Sequence, residues 1–150
     1  MGNIIILRHG WCNMYNQTIT LFNYSSDKDE YFKTLIENVE VQPNYQTVPN
    51  LSQTDSNTSV LIIFEYLEDE TGKYIYSKGK KIYYSKPKSW DISSEKFTIQ
   101  NNIDFVIIGD YTNVENVNLN EMKNSIDDVF VINQFKTFFD ELKHFEIYAN

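Results

Sequence analysis

Four residue types are scarce in this chain of 150 residues, and each scarcity argues against a particular kind of bond or binding site. A single cysteine, Cys12, rules out an internal disulfide and fits a reducing compartment. Five glycines leave few backbone positions that can approach a nucleotide closely, and the chain has no Gly-rich phosphate loop and no G-x-S-x-G motif. Arg8 is the single arginine, although arginine best recognises phosphates and carboxylates through paired hydrogen bonds. The two histidines, His9 and His144, are distant from each other in the sequence and, with one cysteine, make no metal-ligand spacing, so we expect no metal and no other cofactor.

Long apolar runs are absent as well. No run approaches the ~18 consecutive apolar residues of a membrane-spanning helix, and the run at residues 4–7 is too short for a secretory signal. Together with the single cysteine, these features favour a cytoplasmic protein that does not bind membranes.

Acidic residues outnumber basic ones. The chain has 21 Asp and Glu against 13 Lys and Arg, which gives a formal net charge of −8. An acidic surface repels nucleic acid and anionic membranes and favours basic protein partners. A hydrophobic share of 41% with 15% aromatic residues is typical of a globular protein, and the length suits one domain over residues 1–150. One alanine and 17 asparagines indicate an AT-rich genome, which is a property of the source and not of the function.

The predicted strands centre on residues 103–111, which read I-D-F-V-I-I-G-D-Y. The unbroken apolar run at 105–108 predicts a strand that is buried on both faces, because a half-exposed strand would alternate. Residues 4–7 and 129–132 are predicted to pair with it. Further strands are predicted at three places: 18–24, 60–67 and 96–100.

A β-hairpin is the clearest local signal in the chain. The segments K-Y-I-Y-S and K-K-I-Y-Y-S flank a turn at residues 77–80 that contains Gly79. Alternation along these strands groups the side chains as Tyr74, Tyr76 and Tyr84 on one face and Ile75 and Tyr83 on the other. The turn register that decides this pairing stays open.

Three helices are predicted from capping signals and apolar spacing. The first, at about 27–40, has apolar residues that recur at helical spacing: Tyr31, Leu35, Ile36 and Val39. A short second helix, at 118–126, opens on Asn118 in a sequence that approximates a capping box. The third begins after Asn133 and carries a wide apolar stripe: Phe135, Phe138, Phe139, Leu142 and Phe145.

These elements predict an α+β fold. The chain from Asp104 onwards reads β-α-β-α, which gives parallel pairing with right-handed crossovers, whereas residues 60–100 read as an antiparallel meander. We expect a single mixed β-sheet with a central meander and hairpin, a C-terminal β-α-β-α unit and helices packed on the sheet. The polar loop at 42–59 is long, and we expect it to be mobile.

Residues 7–10, L-R-H-G, follow the first predicted strand and form the sharpest candidate for catalysis. They resemble the start of the histidine phosphatase and phosphoglycerate mutase family, in which R-H-G follows the first strand. That resemblance implies that His9 is a phosphate-accepting nucleophile and that Arg8 holds the phosphate. Asp110 and Tyr111 would converge with them as an anion site if strand 105–108 were a parallel neighbour of the first strand.

The resemblance is confined to the residues around this motif. Trp11 and Cys12 stand where the family has an acidic or polar pair, and a second phosphate-binding arginine is missing. The second histidine, His144, falls in the last predicted helix. The alternative is a strand end at which Arg8 pairs with a carboxylate and His9 is a surface or turn residue. We therefore do not expect an enzyme, and a phosphoryl-handling enzyme is kept as an alternative.

An acidic run adjoins the tyrosine-rich hairpin: Glu65, Glu68, Asp69 and Glu70. Such a run is either a solvated face or a dock that attracts a basic partner and speeds association. Tyr74 and Tyr76 either pack the face of the sheet or serve as interface anchors, a role in which tyrosine is enriched. Lysines beside tyrosines also suggest single-stranded nucleic acid, but the net acidity argues against it.

A small acidic domain that is poor in catalytic residues fits an inhibitory binding protein. We predict an immunity- or antitoxin-type protein that neutralises a basic toxin or nuclease by direct protein–protein binding. Its partner surface is predicted to comprise the acidic run with Tyr74 and Tyr76. An accessory subunit of a larger complex is a further alternative.

Overall fold

A computed structural model describes residues 16–43, 59–91 and 95–150 of the chain. This part of the chain forms ten strands, one short helix and a 3-10 turn at Pro87–Ser89. The strands are β1 Gln17–Ser25, β2 Glu30–Pro43, β3 Val60–Glu65, β4 Leu67–Glu68, β5 Lys73–Ser77, β6 Lys80–Tyr84, β7 Lys96–Phe97, β8 Phe105–Ile108, β9 Val129–Phe138 and β10 His144–Ala149, and the helix is α1 Leu119–Ser125.

Six of the strands close into a barrel in the order β1-β2-β3-β10-β9-β8. Every neighbouring pair is antiparallel, including β1 with β8 and β3 with β10. The predicted α+β fold, a mixed sheet with helices packed on it, is therefore wrong. A closed barrel satisfies the backbone hydrogen bonds of all six strands within the sheet itself.

The other four strands form a second, small sheet in the order β4-β5-β6-β7. Its inner face contributes Ile75, Tyr84 and Phe97 to the apolar core of the barrel. The ring of Tyr84 lies 5.4 Å from that of Phe145, a fully buried residue of β10. Barrel and small sheet therefore share one core.

Strand β2 occupies the segment that was predicted as a helix at about 27–40. Its pairing with β1 shifts register between Gln17 and Ile19, opposite a backbone irregularity at Asn38, whose φ is +58°. Because of this bulge, Ile36 and Val39 both face the barrel core although they are three residues apart. A spacing of three in an apolar pattern imitates a helix, and the helix prediction was wrong for that reason.

The predicted C-terminal helix is also wrong, and β9 and β10 stand in its place. The β9–β10 register shifts next to Ala149, which leaves Asn133 as the extra residue of a bulge. Beyond this bulge Phe135 joins the core, whereas strict alternation from Ile132 would have turned it outwards. The bulge and the following turn produced the aromatic spacing that resembled a helical stripe.

The strand predicted at 105–108 is confirmed as β8, with Phe105, Val106 and Ile107 fully buried. It lies between β1 and β9 and is antiparallel to both, so the predicted parallel pairing is wrong. Pairing with residues 129–132 is confirmed, whereas residues 4–7 lie outside the described residues. The outer face of β1, β8 and β9 packs against the chain after β8, including Met122 of α1.

Local turn and cap predictions fared better. The β5–β6 hairpin is confirmed, with Lys78 and Gly79 in the turn at positive φ. Helix α1 is also confirmed, and the Asn118 side chain accepts a hydrogen bond from the Glu121 N–H, as a capping residue does. The loop predicted at 42–59 falls mostly on residues outside the described ranges, and β2 runs to Pro43. No helix in the described part of the chain is long and apolar enough to cross a membrane.

Candidate functional site

The outer face of the small sheet carries a group of apolar and aromatic side chains, which we name the tyrosine face: Leu67, Tyr74, Tyr76 and Tyr83. The register pairs Leu67 with Tyr74 and Tyr74 with Tyr83, so these side chains share one side of the sheet. The Tyr74 ring lies 5.7 Å from that of Tyr76 and 5.4 Å from that of Tyr83. The predicted grouping of Tyr84 with Tyr74 is wrong, because the register turns Tyr84 to the core and Tyr83 outwards.

An ion pair on the same sheet supports the tyrosine face. Lys81 Nζ lies 4.4 Å from the centroid of the Tyr74 ring and 3.1 Å from Asp69 Oδ2. Asp69 also accepts a hydrogen bond from the Tyr83 hydroxyl at 2.7 Å and from the backbone N–H groups of Thr71 and Gly72. These bonds, that of Tyr83 foremost, lower the pKa of Asp69 to about 2.

The structure pairs two carboxylates of the predicted acidic run with lysines. Glu68 lies 3.3 Å from Lys143 Nζ and 3.7 Å from Lys73 Nζ, and Asp69 is paired with Lys81. Glu70 is exposed and forms no ion pair among the described residues. Glu68 and Asp69 thus already face lysines of their own chain.

A cleft of about 450 Å³ separates the tyrosine face from β2. It opens where β3 stops pairing with β2: Ile63 is paired with Glu40, and the two strands have no pairing beyond that point. Buried core residues form its floor: Ile36, Phe64, Tyr66 and Ile75. The remaining lining residues surround the opening: Glu37, Asn38, Glu65, Leu67, Tyr74 and Tyr76.

Three of the six residues predicted to bind a partner, Glu65, Tyr74 and Tyr76, therefore line one cleft. The wall of the cleft on β2 was not predicted from the sequence, because the apolar spacing in that segment indicated a helix. The bulge at Asn38 places Glu37 and Asn38 next to each other on the exposed side of the strand. The sequence signal that could have located this wall was the pair Glu37 and Asn38 within an otherwise apolar pattern.

Large apolar side chains are exposed close to this cleft. Leu67 is 51% exposed, Tyr76 is 52% exposed, and Phe139, in the turn after β9, is 61% exposed. Lys73 lies between Phe139 and the cleft. Its Nζ is 5.0 Å from the centre of the Phe139 ring and 5.7 Å from that of Tyr66, which belongs to the cleft floor. A cluster of exposed apolar side chains beside a cleft is typical of a binding surface.

The alternative anion site is only partly described. Arg8 and His9 lie outside the described residues. Asp110 is exposed and accepts hydrogen bonds from Thr112 N and Oγ1, which lower its pKa. The Tyr111 ring packs in the second apolar cluster, and its backbone N–H donates to Thr20 Oγ1 at 2.8 Å. The phosphatase hypothesis stays a prediction that hydrolysis of a generic phosphate ester, and its loss in His9→Ala, would test.

Asp104 is a fully buried carboxylate that the sequence reasoning did not single out. Its Oδ1 accepts from Tyr24 N and Gln100 Nε2, and its Oδ2 accepts from Asn23 Nδ2 and Gln100 N. Burial raises its pKa to about 6, and these four hydrogen bonds oppose that rise. Because Asp104 joins β1 to residues 98–104, it serves the fold and not a surface site.

His144 lies on the outer side of β10 and not in a helix. Its Nε2 is 3.0 Å from Glu146 Oε2, its Nδ1 is 2.8 Å from the Leu142 carbonyl, and Glu146 Oε1 accepts from the Tyr148 hydroxyl. The imidazole stacks on Phe138 with 4.6 Å between ring centroids. In the described ranges, no group of three or more His, Cys, Asp or Glu side chains is placed to hold a metal ion.

Comparison with known proteins gives one match. The model of a protein family described as a family of unknown function, DUF6751, matches residues 14–150. No curated protein and no solved structure matches the chain. Since the family model covers well over half of the sequence, the chain belongs to the DUF6751 family of unknown function.

Proposed function

We propose that this protein acts by binding another protein at the tyrosine face and the adjoining cleft. The observation that carries the proposal is the exposure of Leu67 and Tyr76 directly beside an open cleft with an apolar floor. Tyrosine anchors that stand next to a pocket are typical of the energetic centre of an interface. The ion pair of Lys81 with Asp69 holds Tyr74 and Tyr83 in place before a partner arrives, which reduces the entropy lost on binding.

The partner that best fits the charge is a basic protein. A formal net charge of −8 attracts a basic surface over a distance and speeds association. An immunity- or antitoxin-type role in the cytoplasm, in which the protein blocks a basic toxin or nuclease domain, remains our proposal for the biological setting. Glu37 and Glu65 are the carboxylates nearest the cleft, whereas Glu68 and Asp69 hold the small sheet together.

The test is capture of a partner from the native source, followed by measurement of its affinity for purified variants. We expect Leu67→Ala and Tyr76→Ala each to weaken binding about tenfold or more, which is the effect of losing an interface anchor. Ile103→Ala is the matched control, because Ile103 is also an exposed large apolar residue but lies in the turn before β8. Equal affinity of the two cleft variants and the control would refute the proposed surface.

Charge reversal separates the roles of the carboxylates. Glu37→Lys is expected to slow association without unfolding the protein, since Glu37 is exposed on β2. Asp69→Lys is expected to disturb the small sheet even without a partner, because it replaces the acceptor of four hydrogen bonds. Association rates at low and high salt, with circular dichroism of each variant, distinguish the two effects.

A second candidate function is that of an accessory subunit in a larger assembly. The exposed Phe139 favours it, because it extends the apolar surface beyond the tyrosine face. In that case the natural complex would be stoichiometric and would depend on Phe139 as well as Tyr76. It would also be largely insensitive to salt, whereas capture of a basic toxin or nuclease would depend on salt strongly.

A further inference from the structure

We propose that His144 is a pH-sensitive switch that controls the turn between β9 and β10, residues 139–143. When its imidazole carries two protons, His144 bonds the turn and its own strand at the same time. When the imidazole loses one of these protons, the bond to the turn is lost and the turn loosens. This inference goes beyond the proposed function, because it concerns the free protein and needs no partner.

Both ring nitrogens of His144 face hydrogen-bond acceptors. Nδ1 lies 2.8 Å from the backbone carbonyl oxygen of Leu142, and Nε2 lies 3.0 Å from Glu146 Oε2. A neutral imidazole has one N–H group, so it can donate to only one of these oxygens, whereas an imidazolium donates to both. The geometry therefore matches the charged form of His144.

The packing around the ring also favours the charged form. The Tyr148 hydroxyl donates to Glu146 Oε1 and so holds the carboxylate in place. The side chains of His144 and Glu146 are each 16% exposed, so water and salt screen their attraction only in part. The imidazole stacks on Phe138 with 2° between the ring planes, which fixes its orientation and adds a cation–π contact.

Other charged side chains lie on every element that packs against His144. They are Glu65 opposite it on β3, Lys136 on β9, and Asp140, Glu141 and Lys143 in the turn. Glu146 is the carboxylate that bonds the ring directly, and it is therefore the group whose removal tests the switch.

Loss of a proton should release the turn and leave the strand bonded. Nε2 keeps its proton, because a hydrogen bond to a charged carboxylate is stronger than one to a neutral carbonyl. Nδ1 then presents a lone pair to the Leu142 carbonyl oxygen, and two acceptors cannot bond each other. Tyr66 still bonds both ends of the turn, since its hydroxyl donates to the Phe138 carbonyl and its N–H to the Lys143 carbonyl. The middle of the turn is thus the part that moves.

The turn carries Phe139, which is 61% exposed, and the Phe139 ring lies 5.0 Å from Lys73 Nζ beside the cleft. The two bonds of the charged ring are complete at low pH. They are lost as the pH rises through the range in which imidazoles titrate, roughly pH 5–8. A rise in pH therefore changes the apolar surface next to the cleft.

The experiment uses NMR of the full chain, labelled with nitrogen-15, at about pH 5.5 and about pH 8.5. Long-range spectra of the imidazole rings distinguish a doubly protonated ring from each neutral tautomer, and His9→Gln identifies the signals of His144. We expect two protons on the His144 ring at the lower pH and one, on Nε2, at the higher pH. The heteronuclear NOE of the amides of residues 139–142 should fall at the higher pH, which reports increased motion of the turn.

Variants test which groups operate the switch. His144→Phe keeps a ring to stack on Phe138 but has no nitrogen, so its turn should be mobile at both pH values. Glu146→Gln removes the charged acceptor and should raise the population of the loosened turn at neutral pH about threefold. Glu141→Gln is the matched control, because Glu141 lines the same surface depression as His144 but is not one of the two acceptors. The dispersion of each amide spectrum checks that the variant is folded.

Three results would overturn this inference. They are a singly protonated His144 at the lower pH, turn motion that does not follow the charge of His144, and equal effects of Glu146→Gln and Glu141→Gln. None of them involves a partner, so the proposed function would stand in that event. Conversely, partner binding that ignores Leu67 and Tyr76 would refute the proposed function and leave the switch intact.

Discussion

Asp104 connects two segments that are distant in the sequence. Four donors surround its carboxylate, from Asn23 and Tyr24 of β1 and from the side chain and backbone of Gln100. A buried carboxylate with every oxygen accepting hydrogen bonds costs desolvation energy but holds a unique arrangement of the chain. The network orients the residues that follow Phe97, which joins the small sheet to the core.

The raised pKa of Asp104 makes stability depend on pH. In the folded protein its pKa lies at about 6, above the ordinary value of 3.8, so the unfolded chain releases this proton first. The stabilisation is complete below about pH 4 and is lost as the pH rises to about 6, with a change on the order of 3 kcal/mol.

The reference for this prediction is Asp104→Asn, which cannot titrate. We expect this variant to be less stable than the wild type, because the asparagine side chain carries an NH₂ donor that would face the donors around position 104. The stability difference between the two proteins should shrink as the pH rises from 4 to 6, as measured by urea unfolding at several pH values. A difference that stays constant or widens over this range would show that folding does not raise the pKa of Asp104.

Phe145 is the residue that holds the two sheets together. It is fully buried, and its ring lies 5.3 Å from that of Phe64, 5.1 Å from that of Phe135 and 5.4 Å from that of Tyr84. Phe145→Ala should therefore lower the free energy of unfolding by about 3–5 kcal/mol, measured by urea denaturation. Phe139→Ala is the control and should change it by less than about 0.5 kcal/mol, because that ring is mostly exposed. Similar losses in both variants would contradict the assigned core.

At the scale of elements, the two bulges decide the shape of the barrel. The first, at Asn38, lets β2 pair with β1 over one part of its length and with β3 over the other. The second, at Asn133, turns Phe135 into the core. Bulges bend a strand and increase its twist, which a six-stranded barrel requires in order to close.

The bulge in β2 can be tested by substitution. Asn38 adopts a φ of +58°, where asparagine and glycine are tolerated and a β-branched residue is strained. Asn38→Val should destabilise the protein by about 1–2 kcal/mol, whereas Asn38→Gly should change its stability by less than about 0.5 kcal/mol. Thermal unfolding of the two variants measures this contrast, and equal effects would indicate that the strand is regular at this position.

At the scale of the whole molecule, the barrel and the small sheet share one core, and we expect them to behave as one cooperative unit. The core that fills the barrel includes Ile75 of β5, Tyr84 of β6 and Phe97 of β7, so neither sheet has a complete core without the other. Local pairing accounts for the β5–β6 hairpin, but β1–β8 and β3–β10 join residues that are far apart in the sequence. Such non-local pairing usually gives slow, cooperative folding.

Unfolding should therefore occur in a single transition. Far-ultraviolet circular dichroism, which reports the strands, and intrinsic fluorescence, which reports aromatic packing, should give superimposable curves in urea. The spectrum of the folded protein should be that of a β protein with little helix. Earlier loss of the fluorescence signal than of the strand signal would show that the small sheet unfolds separately and that the shared core is not cooperative.

The parts of the fold that are encoded locally could be predicted from the sequence. The buried run of β8, the turn with Gly79 and the cap at Asn118 are features of neighbouring residues. The acidic run and the tyrosines of β5 were also located, and Glu65, Tyr74 and Tyr76 do line one cleft. In each of these cases the physical cause acts within a few residues of the chain, so one sequence is enough to reveal it.

Only the tertiary structure decided the rest. In the sequence, Leu35, Ile36 and Val39 favour a helix, and they lie in a strand because a bulge and the closure of the barrel outweigh local propensity. Lys81 and Lys143 neutralise part of the acidic run by packing from β6 and from the turn before β10. The sequence by itself determined the composition of the proposed binding surface. The shape of that surface and the pairing of its carboxylates with lysines depended on strand pairing between distant segments. Such pairing leaves no signal in any local pattern.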